Sequence, residues 1–179
     1  TERRTGGIIM NQGPRYRMKP RRRREGKTDY RHRLALLKSG EPRIVVRRSL
    51  KNIRVQFIEY SEGGDRVVSQ AMGSDLSKQY QWKHSTSSTP AAYLTGMLAA
   101  MQAKKEGLSS GVLDIGRQKP VKGSKVFAAL QGILDAGIEC PHGEKMIPDE
   151  DRLFGKHIDE KIQEDVTRIK KKITGGDGE

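Results

Sequence analysis

Basic residues are concentrated at one end of this 179-residue chain. Residues 1–54 contain 18 Lys and Arg against 4 Asp and Glu, a net charge of +14, whereas residues 55–179 contain 17 against 18. The first 27 residues combine this charge with Gly, Pro and almost no apolar periodicity, so they cannot bury a core of their own. The sequence therefore predicts a basic arm over residues 1–27, disordered without a partner, and a folded domain after it.

The local excess of arginine favours binding to a polyanion. Neutralised phosphates release counterions from nucleic acid, and the planar guanidinium suits both phosphates and base edges. Tyr16 and Tyr30 lie among the arginines, where aromatic rings can stack on bases. A solvated tail and a membrane-surface patch are the alternatives, and the interleaved aromatic residues favour RNA over both.

The segment after the arm predicts a helix followed by an antiparallel meander. Thr28 and Asp29 are suited to cap the helix, because their side chains can accept hydrogen bonds from the first-turn N–H groups. Its apolar face is expected to carry Tyr30, Leu34 and Leu37. The alternating patterns that follow predict three strands, over residues 44–47, 53–57 and 66–72.

Helices and short strands alternate in the rest of the chain, which indicates an α/β domain over residues 28–147. A short helix is expected over residues 75–80, and Thr89 with Pro90 predicts the start of a longer one. Further strands are expected at residues 111–115 and 137–139, on either side of a helix, giving a mixed sheet of about five strands.

Residues 148–179 are predicted to form a helical C-terminal extension. Its apolar stripe has nearly helical spacing and consists of Ile158, Ile162, Val166, Ile169 and Ile173. Packing against the core is the simplest interpretation of this stripe. A protein partner or docking on RNA is the alternative.

Two further segments carry candidate RNA contacts. The ends of the first two strands and the turn between them supply Arg47, Arg48, Asn52 and Arg54. Lys83, Ser85 and Thr86 precede a helix N terminus, where backbone N–H groups and the helix dipole favour phosphate. The hydroxyls of this second segment could equally turn and cap the chain, and the sequence leaves both interpretations open.

Catalytic and metal-binding interpretations have less support. Asp114 ends a strand and could hold a metal ion for phosphoryl transfer, but no second carboxylate has a clear place beside it. Cys140, His142 and His157 match no zinc spacing, and the basic loop over residues 116–125 lacks the GxxxxGK[ST] order of a nucleotide-binding loop. We therefore expect no enzyme activity, cofactor, metal or small-molecule substrate. A metal-dependent nuclease and an RNA chaperone or helix-docking adaptor are the alternatives.

The cysteine content and the hydropathy of the chain indicate its expected cellular location. A lone cysteine, Cys140, suits a reducing compartment. The sequence contains no run of about 18 apolar residues, the length that a membrane-spanning helix needs. We expect a cytoplasmic protein without a membrane partner.

Several runs resemble one family closely. They are EGKTDYRHRL at residues 25–34, TPAAYLTG at 89–96, GPRY at 13–16 and PHG at 141–143. Over residues 13–158 the chain resembles the archaeal and eukaryotic family of large-subunit ribosomal protein eighteen. Residues 1–12 precede this region and are assigned no role.

The resemblance implies a structural component of the large ribosomal subunit that performs no catalysis. Members of the family bind 5S rRNA and attach it to the large rRNA in the central protuberance, beside ribosomal protein five and other proteins of that region. The implied fold is a three-layer α/β domain of the ribonuclease-H-like type. Carried over by matching motif, the leading RNA contacts are Arg15, Tyr16, Arg21, Arg22, Arg23, Arg24, Lys27, Tyr30, Arg31 and Arg33.

Overall fold

The computed structural model describes residues 13–175, so residues 1–12 of the predicted arm and 176–179 of the predicted extension lie outside it. The helices are α1 (Arg21–Arg24), α2 (Tyr30–Leu37), α3 (Gly73–Tyr80), α4 (Thr89–Lys105), α5 (Lys125–Asp135), α6 (Glu150–Leu153) and α7 (Glu160–Ile173), with a 3-10 turn over Glu144–Met146. The strands are β1 (Arg43–Arg48), β2 (Ile53–Glu59), β3 (Arg66–Met72) and β4 (Val112–Asp114).

The four strands form one mixed sheet in the order β3-β2-β1-β4. β1, β2 and β3 are antiparallel neighbours, which confirms the predicted meander, and β4 runs parallel to β1. The predicted fifth strand at residues 137–139 is wrong, since only an isolated bridge joins Ser110 to Glu139. Pro141, two residues after Glu139, has no N–H to extend the pairing.

One face of the sheet packs against α4 and α5 to form the core. Because side chains alternate along a strand, Ile44 and Val46 point towards these helices together with Val55 and Phe57, and all four are fully buried. The helix start predicted from Thr89 and Pro90 is confirmed, but the capping residue is Ser88, whose side chain accepts a hydrogen bond from the Ala91 amide, while Thr89 is the first residue of α4. The core is therefore built from the strands and helices that the apolar patterns predicted.

Two glycines allow α4 and α5 to cross closely. A Cβ atom added to Gly96 would overlap the carbonyl oxygen of Ala129, and one added to Gly132 would overlap the carbonyl oxygen of Tyr93. The backbones themselves are therefore in contact at the crossing. Each helix supplies one glycine to it, so the close approach depends on both.

The C-terminal helix α7 packs against α4, on which it buries an apolar stripe. Ile162, Val166, Ile169 and Ile173 are all part of the core, which confirms the core-packing interpretation of this stripe. Ile158 is not part of it, since it precedes α7 and is 56% exposed. The helix therefore begins later than the sequence pattern suggested.

On the opposite face of the sheet lies α2, and its contact with the body is sparse. Only Leu36 is buried in this helix, whereas Leu34 is 56% exposed. The expected apolar face is therefore wrong for Tyr30 and Leu34, which are exposed, and Leu37 is only half-buried, because a cleft with a largely charged lining lies between α2 and the sheet. The fold is α/β as predicted, and its assignment to the ribonuclease-H-like type stays a prediction.

Candidate nucleic-acid interface

The sheet face that lies under α2 is open and charged. Residues of the arm, α2 and the open face of the sheet surround a cleft of about 790 Å³. Its floor includes Arg43, Val45 and Arg47 of β1, which alternate with the core residues of the same strand. Strand geometry thus separates an apolar face from an arginine-rich face.

A chain of ion pairs crosses this floor from α2 to β4. Asp65, in the turn between β2 and β3, accepts from Arg33 at 2.7 Å and from Arg43 at 2.6 Å. Asp114 at the end of β4 accepts from Arg43 at 3.3 Å and from Arg47 at 2.8 Å. Three guanidinium groups and two carboxylates therefore alternate across the sheet, with an excess of one positive charge.

The pKa of Asp65 reflects its place in this network. Partial burial alone would raise that pKa, but the hydrogen bonds from Arg33 and Arg43 outweigh the burial and hold it below its ordinary value. Asp65 is therefore ionised at neutral pH, and its charge binds the two arginines together.

The arm reaches the body as a short basic helix. All four residues of α1, Arg21 to Arg24, are exposed, and Glu25 accepts from Arg21 at 2.8 Å and from Lys27 at 2.7 Å. The hydrogen bond from Lys27, followed by that from Arg21, lowers the pKa of Glu25. The Gly26 carbonyl accepts a hydrogen bond from Arg117, a residue of the loop that follows β4.

The first turn of α2 presents polar side chains outwards. Asp29 caps the helix by accepting from the amides of His32 and Arg31, and these two bonds lower its pKa, that from His32 first. Tyr30, Arg31 and His32 are exposed. Thr28, which the sequence offered as a second capping residue, instead accepts a hydrogen bond from the Arg22 side chain at 2.8 Å.

The two other predicted segments meet at the end of the β1–β2 hairpin. The Thr86 hydroxyl donates to the carbonyl of Lys51 at 2.5 Å, and the Ser85 carbonyl accepts from the Trp82 indole and the Ser88 hydroxyl. These bonds support the turn-and-cap interpretation of the hydroxyls. Exposed residues of the two segments are Arg48, Arg54, Lys83 and Ser85, while Asn52 is half-buried.

Asp114 has the geometry of a structural ion-pair partner. Its Oδ1 accepts from Arg47 and from the Gly116 amide, and its Oδ2 accepts from Arg43. Both oxygens that a metal-dependent nuclease would offer to a cation are thus held by groups of this chain. Over residues 13–175, no group of three or more His, Cys, Asp or Glu side chains is arranged to hold a metal ion.

The suggested zinc ligands also have other surroundings. Cys140 is buried, and this burial raises its thiol pKa to about 11. One ring nitrogen of His142, Nδ1, lies 2.8 Å from the Cys140 carbonyl oxygen.

Within the part of the chain that the structure describes, no helix is both long enough and apolar enough to cross a membrane.

Sequence reasoning did not place Arg43 or Asp65 in this interface, although it singled out the basic loop that contains Arg117 and Gln118. The alternation along β1 could have placed Arg43 beside Arg47 on the open face. No local signal in the sequence identifies Asp65 as the partner of Arg43, because this contact joins β1 to the turn between β2 and β3. Gln118 donates to the carbonyls of Val46 and Ile115, which fixes the loop after β4 beside β1.

Known proteins are similar in sequence to this chain over most of its length. The family model described as ribosomal large subunit proteins 60S L5, and 50S L18 matches residues 14–110, more than half of the chain. The large ribosomal subunit protein uL18 of Korarchaeum cryptofilum is 54% identical over 159 residues, which cover 87% of this chain and 81% of that protein.

Two further proteins of the same name agree with this match. That of Aeropyrum pernix is 52% identical over 83% of this chain and 70% of its own length. That of Haloarcula marismortui is 46% identical over 87% of this chain and 84% of its own. The resemblance predicted from the sequence motifs is confirmed: this chain belongs to the uL18 family of large-subunit ribosomal proteins.

Proposed function

We propose that this chain binds 5S rRNA within the large ribosomal subunit and attaches it to the large rRNA in the central protuberance, beside ribosomal protein five. Its role there is structural and not catalytic, in the cytoplasmic ribosome. The supporting observation is the set of exposed arginines on one side of the molecule. Among residues 13–175, no carboxylate pairs with Arg22, Arg23, Arg24, Arg31 or Arg54.

The proposed RNA surface combines charge with aromatic rings. It consists of Arg15, Tyr16, Arg21, Arg22, Arg23, Arg24, Lys27, Tyr30, Arg31, Arg48, Asn52, Arg54, Lys83, Ser85 and Thr86. Guanidinium and ammonium groups neutralise phosphates and release counterions, while exposed Tyr16 and Tyr30 can stack on unpaired bases. Arg33 and Arg47 differ from this set, because they pair with Asp65 and Asp114 in the network across the sheet and are less exposed than Arg21 and Lys27, the two members that pair with Glu25.

Three parts of the chain have different tasks in this proposal. Residues 13–27 of the arm contact RNA, residues 28–147 form the body that presents the arginine-rich face, and residues 148–175 support the core from the other side. Association starts through long-range attraction between the basic arm and the polyanion. Contacts from α2 and the hairpin end then define how the RNA lies on the body.

The test is binding of the full chain to 5S rRNA over a salt series, with transfer RNA as competitor. Replacing Arg22, Arg23 and Arg24 with Ala is expected to weaken binding. It should also reduce the slope of log affinity against log salt by about 0.7 to 0.9 for each phosphate that the variant no longer neutralises. The matched control replaces Lys161, Lys171 and Lys172 of α7, which removes the same charge from a different surface.

The two variants separate a local contact from a general effect of net charge. The arginine variant should show a lower affinity and a smaller slope, while the lysine variant stays close to the unmodified chain. Equal reductions in the two variants would contradict the proposed surface. Equal affinity of the unmodified chain for 5S rRNA and transfer RNA would contradict the proposed partner.

A further inference from the structure

The RNA-facing helix α2 has few apolar contacts to hold it on the body. It buries only Leu36, and the cleft separates much of it from the sheet. A short helix is marginally stable by itself and depends on packing for its orientation. The polar contact between Arg33 and Asp65 is therefore a large part of what connects α2 to the sheet.

Asp65 joins two arginines through a single oxygen atom. Its Oδ2 accepts from Arg33 of α2 at 2.7 Å and from Arg43 of β1 at 2.6 Å. Arg43 is only 3% exposed, so its charge is poorly screened by water. If the carboxylate is removed, two guanidinium groups of like charge face one another, and their repulsion pushes α2 away from the sheet.

The two arginines differ in what they retain without Asp65. Arg43 still has Asp114, at 3.3 Å. Arg33 pairs with no other carboxylate among residues 13–175. Arg33, and α2 with it, is thus the mobile partner of the pair, whereas Arg43 stays on the floor of the cleft.

We propose that Asp65 is a positioning residue for RNA binding: it ties α2 to the sheet through Arg33 and so fixes the direction in which Tyr30 and Arg31 face the RNA. This inference rests on the proposed function of the same surface. Asp65 itself need not touch RNA, and its carboxylate repels phosphate.

The sign of the effect separates positioning from simple charge. Removing an acidic group from a basic surface strengthens RNA binding when only long-range electrostatics changes. Positioning predicts the opposite, because misplaced contacts on α2 outweigh the gain in net charge. A weaker complex after the removal of a negative charge is therefore the diagnostic result.

The experiment compares Asp65→Asn with Glu62→Gln in binding of the full chain to 5S rRNA. Glu62 lies in the same turn and is exposed, so its variant loses the same charge without affecting α2. We expect Asp65→Asn to bind about tenfold more weakly than the unmodified chain, as the loss of one charge-assisted hydrogen bond implies. Glu62→Gln should bind equally well or slightly more tightly, and Asp65→Glu should recover part of the affinity.

The salt dependence gives a second readout. The slope of log affinity against log salt should stay unchanged in Asp65→Asn and in Arg33→Gln, since the proposal assigns no phosphate contact to either residue. A slope lowered by about 0.7 to 0.9 in Arg33→Gln would show that Arg33 contacts phosphate and would overturn the proposal. Asp65→Asn binding as tightly as Glu62→Gln would overturn it too.

Hydrogen exchange in the free protein tests the same idea without RNA. The amides of α2 should exchange faster in Asp65→Asn than in Glu62→Gln, while those of α4 remain protected. Equal protection of α2 in the two variants would overturn the positioning role even if the protein did not prefer 5S rRNA. Should Asp65→Asn fail to fold, Asp65→Glu and Arg33→Gln are compared with Glu62→Gln in the same two measurements.

Discussion

The two faces of the sheet are stabilised in different ways. Towards α4 and α5, the strands present fully buried apolar residues such as Ile44 and Phe57. Towards α2, the same strands present Arg43 and Arg47, which are held by the carboxylates of Asp65 and Asp114. Neighbouring residues of one strand, Arg43 and Ile44, thus serve opposite environments.

This difference shows how a small RNA-binding domain can keep a charged surface without losing its fold. Apolar burial on one face contributes the larger share of the free energy of folding and depends little on salt. The ion pairs on the other face contribute little to the free energy of folding, and in the proposed function they fix the positions of arginine side chains relative to the RNA. Substitutions on the first face should therefore change stability, and substitutions on the second should change binding.

The largest expected effect comes from opening a cavity on the apolar face. Phe57→Ala should lower the free energy of unfolding by about 3 to 5 kcal/mol, because the side chain is fully buried beneath α4. Leu50→Ala is the control, since Leu50 is 97% exposed and its truncation should change stability by less than about 0.5 kcal/mol. Urea unfolding measures both, and similar midpoints would contradict the assignment of the core.

A smaller effect is expected from the crossing of α4 and α5. Gly132→Ala should destabilise the protein by about 1 to 3 kcal/mol, although alanine favours helices, because the new methyl group overlaps the Tyr93 carbonyl. Gly63→Ala serves as control, as nothing lies within 4 Å of a Cβ atom there. Thermal unfolding compares the two. A stabilised Gly132→Ala would show that the backbones of the two helices are not in contact.

The smallest effect is expected on the charged face and depends on pH. The folded state lowers the pKa of Asp65 from its ordinary value of 3.8, so its pairs stabilise the fold above that pH, and this contribution is lost as pH falls through the lowered value. The difference in unfolding free energy between the unmodified chain and Asp65→Asn should be about 1 kcal/mol at neutral pH. It should shrink below pH 3.8. A difference that grows on acidification would contradict the pairing.

Local patterns were sufficient for the elements that bury one regular face. Alternation predicted β1 to β3, and helical spacing with the Thr-Pro start predicted α4. These predictions succeeded because a helix or strand that buries one face must repeat its apolar residues with the period of its own backbone. The short α1 and the missing fifth strand lacked such a requirement, since neither buries a regular apolar face.

The charged face could be predicted only in part. Exposed arginines are visible in the sequence, but their carboxylate partners are not, because Arg43 and Asp114 are separated by 71 positions. Leu34 was assigned to the apolar face of α2 and is exposed, a difference that helical spacing alone does not reveal. Interactions between charged side chains carry no periodicity, so only the tertiary structure reveals which cations are already paired.

The placement of α7 also has a consequence for synthesis of the chain. Val166, Ile169 and Ile173 complete the core, and they leave the translating ribosome after every other core residue. At about 5 to 20 residues per second, roughly 7 to 27 s separate the emergence of the arm from that of α7. During this interval the basic segment is accessible while the core still lacks the residues of α7, so a nascent chain can meet cellular polyanions before it is fully folded.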